Sequence, residues 1–341
     1  LLDQPKMSPM PDLPQSIQNH ILALEEYFQA ENSRNTYDFI TDGLNYQFST
    51  GGKRLRPALC LLSCELFGGE SARALPFAMA TEILHNFLLI HDDIEDGDVM
   101  RRDKKTLWAE IGVPNALNVA DFMIARAYGL ITESKLPGDT SLRLCRAFSH
   151  VLQRTVEGQA LDINLRGEAS VNLETYYRIV TLKTAYYLAL PWVGGAMVAG
   201  AEEDSLEPLW RLGRRLGPAF QIRDDLIDLT EGKGRGGEVG CDIREGKPSI
   251  CYAHALEAQK GTEEDRQKLI EIVGAEREAT TEEEIRWVID FYDREQILKF
   301  ARQEAGRLAK ESIEVLDELP LHDEGKEAFR EVIQFVVDRK V

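Results

Sequence analysis

The sequence predicts an all-α fold, a single domain of ten or more helices. Apolar residues recur at helical spacing in nearly every segment. No stretch sustains a two-residue apolar alternation bounded by turn signals. The periodic segments are separated by short punctuation at Gly51-Gly52, Gly68-Gly69, Pro137-Gly138 and Gly232 to Gly240. No low-complexity linker or short repeat divides the chain. Length alone favours about two domains, but the chemistry below needs residues from both halves of the 341-residue chain in one cavity.

In chain order, the helical pattern covers residues 17–30, 57–67, 72–94, 116–131 and 142–165. It continues over 173–190, 206–229, 249–259, 282–316 and 324–339. Pro191 is expected to interrupt or kink a long helix, because it lacks the N–H of an interior helical residue. Residues 1–14 are irregular and are read as a flexible tail. They lack the basic head and apolar stretch of a signal peptide.

Apolar residues make up 43% and charged residues 29%, the balance of an ordinary soluble protein. No apolar run reaches the roughly 18 residues needed to span a bilayer. Five cysteines, an odd number with no CxxC pair, fit reduced thiols and a cytoplasmic setting. Cys60 and Cys64 share a helical face. A metal pair is conceivable there, but small buried apolar residues are the favoured reading. The net charge of −18 argues against nucleic acid, which needs a basic footprint. For an anionic substrate, something local must reverse that field.

Two acidic clusters carry the chemistry. Asp92-Asp93-Ile94-Glu95-Asp96 and Asp224-Asp225-Leu226-Ile227-Asp228 each contain D-D-x-x-D. On a helix, positions i and i+4 share a face, so Asp92 pairs with Asp96 and Asp224 with Asp228. Like charges at that spacing cost a few tenths of a kcal/mol. Both clusters also fall late in helices, where the macrodipole disfavours anions. A cation is the natural compensation, and all-oxygen carboxylate ligands suit Mg²⁺ shared with substrate phosphates. The bland alternative, two solvated acidic helix ends, is weakened by the repetition and by the apolar helix leading into each.

Phosphate recognition needs Arg, Lys and exposed backbone N–H groups. Gly51-Gly52-Lys53-Arg54-Leu55-Arg56-Pro57 offers all three at a helix start. Arg101-Arg102 follows the first cluster. Lys183-Thr184 sits mid-helix, and Lys247 lies beyond the second cluster. His85 is seven residues before Asp92, about two turns away on nearly the same face. A satisfied core histidine is the simpler reading of that position alone.

The ordered set G-G-K-R-L-R-P, H-N-F-L-L-I-H-D-D-I-E-D, R-R, G-Q-A-L-D, K-T, F-Q-I-R-D-D-L-I-D and D-I-R-E-G-K resembles the trans-isoprenyl diphosphate synthases, or polyprenyl synthetases. The motifs run from Gly51 to Lys247, and seven in order make the resemblance specific. It implies an isoprenoid-synthase-type helical fold around a deep central cavity, usually a homodimer. Residues 15–341 would form the prenyltransferase domain. The substrates implied are isopentenyl diphosphate and an allylic diphosphate, with three Mg²⁺ ions per site. Asp92, Asp93 and Asp96 would be ligands from the first cluster. Asp224 would be the main ligand of the second, with Asp225 and Asp228 in support. Lys53, Arg56, His85 and Arg102 resemble the isopentenyl diphosphate clamp. Arg101, Lys183 and Lys247 resemble allylic diphosphate contacts. Thr184 and Gln221 lie where polar groups face the developing cation, and Gln159 and Asp162 match G-Q-x-x-D in support of the metal site.

Two positions depart from the family pattern. Arg101-Arg102-Asp103-Lys104-Lys105 stands where R-R-G-x-P is usual, so the loop is expected to bend differently. Glu238 stands where a phosphate-binding lysine is usual. It is expected to point away from the phosphates, with Lys233 or Arg235 supplying the charge; the alternative is weaker diphosphate binding. A class I terpene cyclase would need no second diphosphate clamp. A non-catalytic subunit would tend to lose ligand carboxylates, and all six are present.

Phe87 bears on product length. It lies five residues before Asp92, about 7.5 Å along the helix axis. Leu84 lies about 12 Å down. An aromatic at Phe87, without an insertion in D-D-x-x-D, resembles the enzymes that stop at twenty carbons, geranylgeranyl diphosphate. Farnesyl diphosphate is the alternative.

Overall fold

The computed structural model describes residues 15–32, 37–230 and 239–337. The tail at 1–14, and Lys233, Arg235 and Glu238, lie outside the described residues. Helices dominate, as the periodicity predicted, and they run from Gln15–Asn32 to Asp323–Val337. The chain forms two compact units. One contains Leu1–Ser149, Leu190–Leu209 and Pro320–Glu331; the other contains His150–Ala189, Trp210–Leu319 and Val332–Val341.

In the first unit the long Ser71–Glu95 helix packs on Val113–Thr132 and Leu55–Leu66. Its inner side buries Phe77, Met79, Ile83 and Ile90. Gly194 and Gly195 let their helix approach closely. A Cβ on Gly194 would stand 1.8 Å from the Phe77 ring, and one on Gly195 2.1 Å from the Cys60 carbonyl oxygen. Trp192 stacks on Phe329 at 4.3 Å, and the Ser63 hydroxyl donates to the Trp192 carbonyl at 2.7 Å.

The second unit has its core around Tyr176, Ile222, Leu226, Tyr252, Val288 and Phe291. Gly213 and Gly217 bring the Glu203–Asp228 helix against Ala189 and Ala185; a Cβ on Gly217 would lie 2.5 Å from the Ala185 Cα. Gly158 similarly packs on the Lys183 backbone, 2.3 Å from its nitrogen for an added Cβ.

Four details differ from the sequence expectation. The expected 173–190 helix is Leu173–Val180 followed by a π-helical turn at Thr181–Ala185. Pro191 sits inside the continuous Tyr186–Ala199 helix, so the irregularity falls upstream of it. Gln296, with φ 61°, divides the expected 282–316 helix into Glu282–Arg294 and Ile297–Leu316. Finally, Met100–Arg101 and Lys104–Lys105 pair as a minimal antiparallel hairpin.

That hairpin explains the altered arginine loop. Its central residues, Arg102 and Asp103, have φ of 52° and 61°. Two positive φ values define the tight turn that matches strand twist. Asp tolerates that conformation; Arg102 carries a cost of about 1–2 kcal/mol there. Its guanidinium offsets this by donating to the Gly51 carbonyl.

Candidate active site

The first acidic cluster ends the Ser71–Glu95 helix, and Asp96 is its C-cap. The Asp96 N–H still donates to the Asp92 carbonyl at 2.8 Å, so the helical backbone continues through the cluster. The two adjacent aspartates behave differently. Asp92 is half-buried, whereas Asp93 is only 2% exposed. Arg101 Nε donates to Asp93 Oδ1 at 2.5 Å, and its Nη2 reaches Asp92 Oδ2 at 3.3 Å. Burial pushes the Asp93 carboxyl up to about 7 even against that guanidinium. Trp108 Nε1 donates to the backbone carbonyls of Asp93 and Asp98.

Next to this cluster lies a cationic group. Arg102 is tied to Gly51, and a Cβ on Gly52 would sit 2.9 Å from Arg102 Nη1. Gly51 and Gly52 have φ of 99° and 127°, conformations that favour glycine. His85 is held neutral, its imidazole well below the usual range. Burial is the main cause, followed by the charges of Arg56, Arg102, Arg101 and Arg54. The fields of Arg56 and Arg102 therefore both reach His85. Lys53 belongs to the same Gly51–Arg54 loop.

Beneath the loop is a pair that sequence reasoning left unassigned. Arg54 Nη1 meets Glu82 Oε1 at 2.8 Å, and Arg54 Nη2 donates to the Phe48 carbonyl at 2.6 Å. Asn86 Nδ2 donates to the same Glu82 oxygen at 3.2 Å. Arg54 and Glu82 are 8% and 2% exposed. The available signal was a lone glutamate in an otherwise apolar helix segment.

The second cluster ends the Glu203–Asp228 helix. Here too the first aspartate, Asp224, is half-buried and the second, Asp225, is buried. Asp225 accepts hydrogen bonds from Gln221 Nε2 at 3.1 Å, the Tyr176 hydroxyl at 3.1 Å and the Ile250 N–H at 3.4 Å. Burial, then Asp225, raises the Tyr176 phenol well above its ordinary range, so it remains a donor. Asp228 is fully buried and accepts from the Asp242 N–H at 3.0 Å. This fixes the Gly240–Lys247 turn to the helix end.

Two lysines sit against carboxylates. Lys183 Nζ donates to Asp162 Oδ2 at 2.8 Å. Lys183 and Thr184 occupy the π-helical turn, a distortion that is frequent at functional sites. The Thr184 hydroxyl donates to Gln221 Oε1 at 3.2 Å. Lys247 Nζ lies 2.5 Å from Glu245 and 3.5 Å from Asp242. Tyr176, Asp242 and Glu245 escaped the sequence reading, although Asp242 and Glu245 lay inside a quoted motif.

Phe87 is partly exposed on the Ser71–Glu95 helix, 4.6 Å from the His91 ring, while Leu84 is fully buried. Cys60, Cys64, Cys145, Cys241 and Cys251 are free thiols. Burial raises Cys60 well above its ordinary value and Cys64 to about 11, so both are inert apolar fillers rather than thiolate ligands. Among the described residues no helix is long and apolar enough to cross a membrane.

Each acidic helix end offers carboxylate oxygens, the ligand type that suits Mg²⁺.

Comparison with known proteins places these features. The sequence profile of the polyprenyl synthetase family matches residues 38–291. A short chain isoprenyl diphosphate synthase of Methanothermobacter thermautotrophicus is 34% identical over 299 residues, covering 86% of this chain and 88% of that protein. A geranylgeranyl pyrophosphate synthase of Geoglobus acetivorans is 35% identical over 279 residues, covering 81% and 84%. The crystal structure of geranylgeranyl pyrophosphate synthetase from Pyrococcus horikoshii superposes with a TM-score of 0.84 at 28% identity, covering 96% of this chain and 98% of that one. The profile match spans most of the chain, including the two acidic helix ends and the cationic loop, and means that the chain belongs to the polyprenyl synthetase family of chain-elongating prenyltransferases.

Proposed function

We propose that the chain condenses isopentenyl diphosphate with an allylic diphosphate and releases geranylgeranyl diphosphate. The cationic group around His85 carries the reading, because a cyclase acting on one diphosphate needs no such clamp. In this reading Lys53, Arg56 and Arg102 hold isopentenyl diphosphate, with the neutral His85 imidazole as a hydrogen-bond donor. Arg101, Lys183 and Lys247 contact the allylic diphosphate. Their carboxylate partners keep all three cations in place, so less side-chain freedom is lost on binding.

Asp92 and Asp224 are the principal metal ligands of this reading, with Asp96 and Asp228 beside them. Asp93 and Asp225 are anchors, since both are turned onto protein donors. Three Mg²⁺ ions per site follow the family resemblance. When bound, Mg²⁺ supplies a Lewis acid that takes up negative charge on the departing diphosphate. Thr184 and Gln221 place polar oxygens beside the developing allylic cation. The double bond of isopentenyl diphosphate attacks that cation, and the departing diphosphate accepts the proton that is lost. Both acidic clusters are needed for turnover. Residues 15–341 work as one prenyltransferase domain, assembled as a homodimer in the reducing cytoplasm that five free thiols suit.

The twenty-carbon limit is assigned to Phe87, whose ring stands one helical turn before His91. Relatives named as geranylgeranyl diphosphate synthases support that length. Phe87→Ala is expected to lengthen the product by at least one five-carbon unit, read by chromatography of the dephosphorylated alcohols. An unchanged product would place the floor elsewhere, and a fifteen-carbon product from the unmodified chain would favour farnesyl diphosphate.

A further inference from the structure

Asp225 accepts hydrogen bonds from three donors. The Tyr176 hydroxyl and the Ile250 N–H reach Oδ2, and Gln221 Nε2 reaches Oδ1. A carboxylate so surrounded acts as an acceptor only. This settles the orientation of the Gln221 amide, which has one donor end and one acceptor end. Its NH₂ faces Asp225, so its carbonyl faces the Thr184 hydroxyl at 3.2 Å. That hydroxyl has a single proton and directs it to Gln221. What the Thr184 hydroxyl and the Gln221 carbonyl retain for a ligand is lone pairs, with the Gln221 NH₂ on the Asp225 side. The reverse flip would aim two N–H groups along the same direction, and these would oppose a growing positive charge.

We propose that Tyr176 is a positioning residue for the condensation: through Asp225 it locks the Gln221 amide in the flip that turns only lone pairs toward the allylic cation. The inference rests on the prenyltransferase reading of Thr184 and Gln221. Tyr176 itself touches no substrate. It is 2% exposed on the Leu173–Val180 helix, and its ring packs edge-on to Tyr177 at 5.6 Å. Phenylalanine would fill the same space and lose only the hydroxyl.

The test uses the full chain with Mg²⁺, an allylic primer and isopentenyl diphosphate. Tyr176→Phe is expected to lower kcat by about ten- to a hundredfold, the value of one hydrogen bond to a charged group. Both KM values and the Mg²⁺ half-saturation stay within about twofold, because the lock acts after binding. Gln221→Leu removes the amide, and adding Tyr176→Phe to it is expected to cause no further loss. An unchanged kcat, a raised Mg²⁺ half-saturation or additive losses would overturn the proposal. A neutron crystal structure of Tyr176→Phe, which locates the amide deuterons, gives a readout independent of turnover. Both orientations of the Gln221 amide are expected; a single orientation with the NH₂ still facing Asp225 contradicts the lock. An unmodified chain that elongates no primer counts against the prenyltransferase reading alone, and the crystallographic comparison still decides the lock.

Discussion

Asp92→Ala and Asp224→Ala are each expected to cut turnover about a thousandfold or more, since several kcal/mol of charge stabilisation leaves with the ligand. The fold is expected to survive, because both side chains are half-buried and Arg101, which reaches Asp92 at 3.3 Å, keeps its shorter bond to Asp93. Their sequence neighbours should behave in the opposite sense. Asp93 holds Arg101, and Asp225 holds Tyr176, Gln221 and the start of the Ile250–Glu257 helix. Steady-state kinetics and thermal melting on the four alanine variants separate the two classes. Near-normal turnover in Asp92→Ala or Asp224→Ala would sink the metal assignment.

Glu82→Leu is expected to destabilise the protein by about 3–5 kcal/mol, the usual cost of removing one partner from a buried ion pair. It leaves the Arg54 guanidinium, 8% exposed, without its carboxylate. The melting temperature should fall by several degrees. Because Arg54 also fixes the Phe48 carbonyl at the start of the glycine loop, KM for isopentenyl diphosphate should rise as well. A melting temperature within a degree of the unmodified protein would mean that the pair contributes little to either stability or loop position.

Much of this was legible in the sequence because the chemistry leaves a pattern. The acidic pairs, the glycine loop and the long helices were readable from spacing alone. What escaped has physical causes. The Asp38–Ser49 helix is rich in polar residues, has Gly43 at its middle and starts at Tyr37 without a side-chain cap. The Glu263–Val273 helix carries few apolar residues, although its Thr262–Asp265 capping box was visible as T-x-x-D. The break at Gln296 lacks glycine or proline, so no local signal announced it. The π-helical turn at Thr181–Ala185 packs closely against Gly158 and Gly217, an approach that no window of sequence can display.

Within the site, sequence gave residue types but not their division of labour. Two adjacent aspartates look identical on paper. Only burial distinguishes Asp92 from Asp93 and Asp224 from Asp225. The odd Arg102-Asp103 turn was recognised as a departure, and its outcome, a hairpin that carries Arg102 back to Gly51, required the backbone.

The most direct test is incubation of the purified chain with labelled isopentenyl diphosphate, allylic primers of increasing length and Mg²⁺. The expected result is metal-dependent elongation that accumulates geranylgeranyl diphosphate and stops when a chelator is added. A cyclised hydrocarbon, or binding of both diphosphates with no elongated product, would contradict it.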